Sequence, residues 1–161
     1  MSTSIRNLTV ESVQKGDALP TLAYDVTAST VVLGALASRD WRPMHHDKDF
    51  AVNRNGTQDI FLNTPNQAAW FERYLTDWTG PKGRLGKIQF RMKASVFPGD
   101  TMEFNGTVSA VETDESGCGW ANVELKLTVG EKTVTDCTAK IALPVSDADN
   151  PWKRIGKNWQ P

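Results

Sequence analysis

The stretch Thr64-Pro65-Asn66-Gln67-Ala68-Ala69-Trp70-Phe71-Glu72-Arg73-Tyr74-Leu75-Thr76-Asp77-Trp78 holds the best helix start in the chain, and its reading decides the fold. Thr64 suits an N-cap, because its hydroxyl can accept from an orphan amide of the first turn. Pro65 suits the first helical position, where a missing N–H is no loss, and Gln67 completes a capping box. Ala68, Ala69, Trp70, Phe71, Tyr74, Leu75 and Trp78 leave few polar positions. The spacing predicts a helix to about Trp78 with much of its circumference buried and with Trp70 and Trp78 in the core.

Everything after Gly80 reads as strand. Residues 88–92 alternate apolar and polar side chains, and Pro98-Gly99-Asp100 is a turn. Strands over 102–111, 119–129 and 133–143 follow, with turns at 114–117 and at Gly130-Glu131. Upstream, a strand is expected near 19–24. Thr27 suits the N-cap of a helix to about Ser38, with Val32, Leu36 and Leu33, Ala37 at i,i+4 spacing. Residues 52–58 read as an exposed loop. One long buried helix followed by antiparallel strands is an α+β layout. Residues 1–144 are expected to form a single domain, and 145–161 a polar tail whose Trp152 and Trp159 pack on a neighbouring surface.

Composition narrows the function classes. A chain of 161 residues suits one domain, and one of this size buries roughly 68–70% of its unfolded surface. With 23% charged residues, 39% hydrophobic ones and a formal charge of −1, the balance is that of an ordinary globular protein and argues against nucleic-acid binding through a broad basic face. No apolar run approaches the ~20 residues of a membrane span, and residues 1–20 lack a signal-peptide core. A cytoplasmic location is expected. In a hairpin about Gly130-Glu131, Cys137 lies opposite Glu124 and far from Cys118. A disulfide needs Cα atoms within about 7 Å, so both thiols are expected reduced. The absence of any CxxC spacing argues against structural zinc.

The only two histidines adjoin in Asp40-Trp41-Arg42-Pro43-Met44-His45-His46-Asp47. Pro43 cannot continue the helix from Thr27, so this segment is a loop or irregular turn. Imidazole titrates near neutrality. With a carboxylate it can hold a water and pass protons, which would add water to a double bond or remove it. The competing reading has Asp40 capping a turn and His45 hydrogen-bonded in the core. Adjacent His45 and His46 rarely point at one ion and no third ligand suggests itself, so no metal is expected. The helix start offers an oxyanion donor: Pro65 has no N–H, which leaves the Thr64 amide first, with Asn63 able to contribute. Trp41 could line a pocket. The clusters Lys82, Arg84, Lys87 and Lys153, Arg154, Lys157 are either solvated surface or contacts for phosphates.

Asp40-x-x-Pro43-Met44-His45, a helix start some nineteen residues later, and strands with Phe97-Pro98-Gly99-Asp100 together resemble the MaoC-like hydratases of the hot-dog fold. The usual family pattern is Asp-x-Asn-Pro-hydrophobic-His, then His-Gly at the central helix. Arg42 stands in place of the asparagine, and Asn63-Thr64 in place of His-Gly. A closer match over residues 37–80 includes Ser38-Arg39-Asp40, His45-His46-Asp47-Lys48-Asp49, Asp59-Ile60-Phe61-Leu62-Asn63 and Arg73-Tyr74-Leu75-Thr76-Asp77-Trp78. It is similar to the small MaoC-like subunit of the heteromeric enoyl-CoA hydratases of bacterial steroid side-chain degradation.

The resemblance implies a sheet wrapped around one central helix, and a hot-dog dimer with a homologous MaoC-like partner subunit. It implies catalytic roles for Asp40 and His45 and an oxyanion amide at Thr64; Trp41, Arg42 and Asn63 are further candidates for substrate contact. The substrate would be an acyl-CoA, with no cofactor beyond that CoA. A hot-dog acyl-CoA thioesterase and a non-catalytic subunit stabilising a hydratase partner are the alternative readings.

Overall fold

The computed structural model describes residues 7–161. Its elements run β1 (Ala18–Asp25), α1 (Ala28–Ala37), α2 (Lys48–Asn53), α3 (Thr64–Thr79), β2 (Arg84–Met92), β3 (Thr101–Thr113), β4 (Gly119–Val129) and β5 (Lys132–Leu143), with single 3-10 turns before, between and after them. The strands form one antiparallel sheet in the order β1-β3-β4-β5-β2. At about 1.5 Å per residue, the 16 residues of α3 make a helix roughly 24 Å long.

Alternation along the strands decides which face meets that helix. In β4, Val123, Leu125 and Leu127 are buried, while Glu124 and Lys126 face solvent. Phe71, Tyr74 and Leu75 of α3 join Phe104, Leu125, Leu127 and Cys137 of the sheet in one core. Phe71 and Phe104 meet edge to face at 5.1 Å. Trp70 and Trp78 are half-buried rather than interior and pack against that core from its margin.

Three local features depart from the sequence reading. The N-cap of α3 is Asn63, not Thr64: the Asn63 Oδ1 accepts the Asn66 amide, and Thr64 and Pro65 open the helix. Gln67 therefore serves no capping box, and its Oε1 instead accepts from the buried Thr135 hydroxyl at 2.8 Å. Residues 48–53, partly read as loop, form α2, capped by Asp47 through the Phe50 amide. At six residues, α2 is too short to show a periodic pattern. Finally, the β4–β5 ladder pairs Thr128 with Thr133 but Leu127 with Thr135. Val134 is thus an unpaired bulge residue, and its carbonyl accepts the Lys93 and Ala94 amides at the end of β2. The bulge shifts the register by one, so Cys137 faces Leu125 rather than Glu124. Both cysteines are buried and free.

Residues 145–161 lie on the sheet face opposite α3. Trp159 covers Trp120, ring centroids 5.0 Å apart, in a small second cluster with Cys118 and Ala142. The basic clusters knit this segment down. Arg84 stacks on Trp159 at 3.6 Å and donates to the Pro151 and Arg154 carbonyls. Arg154 donates to the Ser116 and Gly117 carbonyls and pairs with Asp149. Asp114 closes the same end by accepting from the Ser116 hydroxyl, the Cys118 amide and the Trp120 indole.

Burial alone would push the Asp114 carboxyl up, but these donors outweigh it and hold it down at about 2. A carboxylate reads about 3.9 in the unfolded chain. The stabilisation from Asp114 is therefore present above that value and lost as pH falls toward the folded one. Asp114→Asn should lower Tm at pH 7 and flatten the fall of Tm between pH 5 and pH 3. Thermal melts of both proteins across that range check this, and parallel curves would remove Asp114 from the acid response.

Candidate active site

The segment after α1 is turned by a Schellman-type end. The Arg39 amide donates to the Leu36 carbonyl and the Asp40 amide to the Ala35 carbonyl. Arg39 takes the left-handed conformation, φ 54°, usually left to glycine. That reversal brings the Asp40 side chain back over the start of α3. Pro43 then opens a 3-10 turn, Pro43–His45, which carries His45 inward and leaves His46 exposed.

His45 Nε2 lies 3.5 Å from Asp40 Oδ2. The other ring nitrogen, Nδ1, is 2.8 Å from the Phe61 carbonyl. A carbonyl only accepts, so Nδ1 carries a proton, and in a neutral ring Nε2 then bears a lone pair. Nε2 is buried and has no partner among the described residues. The imidazole is braced by the Phe61 ring, edge-on at 4.8 Å. The pair thus turns two acceptors, an imidazole lone pair and a carboxylate oxygen, toward each other.

Asp40 is held by two further groups. The Arg42 guanidinium forks onto it, Nε to Oδ1 and Nη2 to Oδ2, both at 2.9 Å. The Asn63 amide nitrogen donates to Oδ2 at 3.0 Å. The Arg42 fork holds the Asp40 carboxyl well below the usual carboxylate range; burial opposes it and Asn63 assists it. Arg42, whose type departs from the family pattern, is thus a partner of the acid, although much of its side chain stays in solvent.

Asn63, expected as a substrate contact, is buried, and its side chain is fully engaged. Its Oδ1 caps α3, and its two N–H groups go to Ser38 Oγ and Asp40 Oδ2. Its carbonyl accepts the Gln67 amide. With Asn66 and Gln67 satisfied and Pro65 lacking an N–H, the Thr64 amide is the donor of the first turn with no acceptor among the described residues. It follows directly on the side chain that bonds Asp40. Trp41 is 65% exposed beside this site, as are Leu33 at 63% and Leu36 at 44% on the helix leading to it. The cap and the Asn63 contacts carried no signal in the sequence beyond an asparagine before Thr-Pro.

An antiparallel sheet wrapped on one helix, with this pair at the helix N-terminus, defines a hot-dog protein. No protein-family model matches the chain. It is 35% identical over 134 residues to the 3-oxo-4,17-pregnadiene-20-carboxyl-CoA hydratase beta subunit of Mycobacterium tuberculosis, covering 83% of this chain and 97% of that protein. The crystal structure of the ChsH1-ChsH2 complex from the same organism aligns at a TM-score of 0.74 and 32% identity, over 80% of this chain and 97% of that one. The (R)-hydratase of A. caviae involved in PHA biosynthesis shares the fold, with a TM-score of 0.74 at 22% identity over 83% of this chain and 99% of that one. The chain belongs to the MaoC-like hot-dog hydratase family.

Two Asn63 variants separate its jobs. Asn63→Ala loses the cap and both donors, and should cost about 1–3 kcal/mol at any pH. Asn63→Asp keeps the cap acceptor but sets a second carboxylate against Asp40. That group's folded pKa is raised, so its protein should lose stability relative to wild type as pH rises from 4 to 7. Melts at the two pH values check the contrast, and an Asn63→Asp deficit independent of pH would contradict it.

Proposed function

We propose that the chain is the catalytic subunit of a cytoplasmic enoyl-CoA hydratase, adding water across the α,β-double bond of an acyl-CoA with a bulky steroid acyl group. The observation that carries this reading is the Asp40–His45 pair: two acceptors, 3.5 Å apart, with an unpartnered buried lone pair on one of them. A water donating one hydrogen to each would be held with an oxygen lone pair free to attack a β-carbon. The Thr64 amide, left free at the positive end of α3, would take the thioester oxygen and stabilise the enolate that forms. No cofactor is needed beyond the CoA of the substrate.

The finer parts of the reading rest on two supports. The relative in Mycobacterium tuberculosis is named for a steroid carboxyl-CoA, and a similar chain occurs in a two-protein complex. Leu33 and Leu36 are exposed on α1, which leads into the pair, and Trp41 is exposed next to Asp40; exposed apolar side chains of this kind support an interaction surface. It would meet the ring system of the substrate and a homologous MaoC-like partner subunit. Trp41 and the free N–H groups of Arg42 are the chain's own candidates for substrate contact.

Asp40→Asn and His45→Ala should each lower kcat for hydration by about 10²-fold or more, and a cooperative thermal melt should show that each variant remains folded. Absorbance of the enoyl thioester follows the reaction, and a thiol reagent run beside it should detect no CoA release. Near-wild-type hydration by either variant, with the partner subunit's own pair intact, would move catalysis to the partner. Thiol release from a saturated acyl-CoA would point to a thioesterase.

A further inference from the structure

Arg42 stands two residues from Asp40, and its fork is not an ordinary surface ion pair. The donors reaching the carboxylate are Arg42 Nε and Nη2 at 2.9 Å, Asn63 Nδ2 at 3.0 Å, and the Arg42 amide at 3.4 Å. An ionised carboxylate has about four lone-pair directions. The two guanidinium bonds and the Asn63 bond take three, and the long Arg42 amide contact leaves the fourth open to a water hydrogen. The charge so stabilised resists taking up a proton. Nor has it a proton to give, being ionised. Among the described residues, the charged or titratable groups facing it are Arg42 from its own loop and His45 from the next turn. Helices α1 and α3 present only the neutral Ser38 and Asn63, the first bonded to the second. His45 Nε2, by contrast, is unoccupied.

We propose that Arg42 is a positioning residue that fixes Asp40 as an immobile acceptor and removes it from proton transfer, leaving His45 Nε2 as the one group that carries the proton. This rests on the hydratase reading above and divides the labour within that pair. As the water oxygen bonds to the β-carbon, Nε2 takes one of its protons and the π electrons move through the α-carbon onto the thioester oxygen. The imidazolium then returns that proton to the α-carbon as the enolate pair forms the new C–H bond. Water supplies both added groups, His45 ends neutral, and no further reactant is consumed. The hydroxyl and the hydrogen arrive from the same face.

The test uses Arg42→Ala and Arg42→Lys, in the complex as purified, with 3-oxo-4,17-pregnadiene-20-carboxyl-CoA as the probe. A misplaced acceptor costs about 10- to 10²-fold. Arg42→Ala should therefore lose that much kcat with KM within about twofold of wild type. Added guanidinium ion should restore part of it, and Arg42→Lys should not, since a point charge lacks the fork. A rise in KM alone would make Arg42 a substrate contact and overturn the proposal, as would unchanged kinetics. Asp40→Asn should keep the acid limb of its kcat/KM profile. Loss of that limb would return Asp40 to proton transfer.

A second readout does not depend on turnover. The 13C resonance of the Asp40 carboxyl should stay that of a carboxylate down to about pH 3 in wild type, and should titrate near the ordinary value of about 4 in Arg42→Ala. Identical titrations in the two proteins would overturn the clamp even if no hydration is found. Absent hydration with the titrations distinct would instead fail the reaction reading alone.

Discussion

Three hydrogen bonds from one buried amide, that of Asn63, hold the site together. Its oxygen caps α3, and its nitrogen reaches Ser38 at the end of α1 and Asp40 just beyond it. Serine or aspartate would cap the helix as well. Neither offers an acceptor and two donors at once, so neither could cap α3 and bind both neighbours. Leaving any of these groups unpaired inside the protein costs about 1–3 kcal/mol, so the three positions are locked as a set. The start of α3 and the Asp40 carboxylate move together or not at all.

That knot depends in turn on how closely the two helices cross. Gly34 of α1 lies against the Asn66 side chain, where a Cβ would overlap its amide. Asn66 also donates to the Thr30 carbonyl. Glycine costs α1 helical propensity, and the close approach it allows puts Ser38 within reach of Asn63. A bulkier residue would lift the end of α1, and Asp40 with it, away from His45.

How much of this was legible follows the distance along the chain over which each feature is decided. The α1 span, its Thr27 cap and the β4 strand are set by neighbouring residues, and the sequence reading found them. Asp40 and His45 lie five apart across a proline, so their approach was also local. The β4–β5 register failed by one because the Val134 bulge answers to Lys93 and Ala94, far off in sequence. Asn63 was legible as a polar residue at a helix start. Its bonds to Ser38 and Asp40 were not, since they span more than twenty residues. Arg42 was opaque for another reason: its position departs from the family pattern, and an Asp-x-Arg spacing in a loop does not announce a fork. Likewise Arg84 and Arg154, read as possible phosphate ligands, are committed to carbonyls of the tail and the turn it covers.

The tautomer of His45 gives the site its direction. Were Nδ1 facing an acceptor and Nε2 a donor, the ring would be a satisfied core histidine, the plainest reading of an imidazole at 2% exposure. Nδ1 does have its acceptor, the Phe61 carbonyl, in a segment pinned by the Leu62 amide to the Val96 carbonyl. Nε2 meets only a carboxylate oxygen that cannot donate. A structural histidine gains nothing from an Nε2 left without a donor beside a carboxylate, and it is that meeting of two acceptors on which the proposed hydration rests.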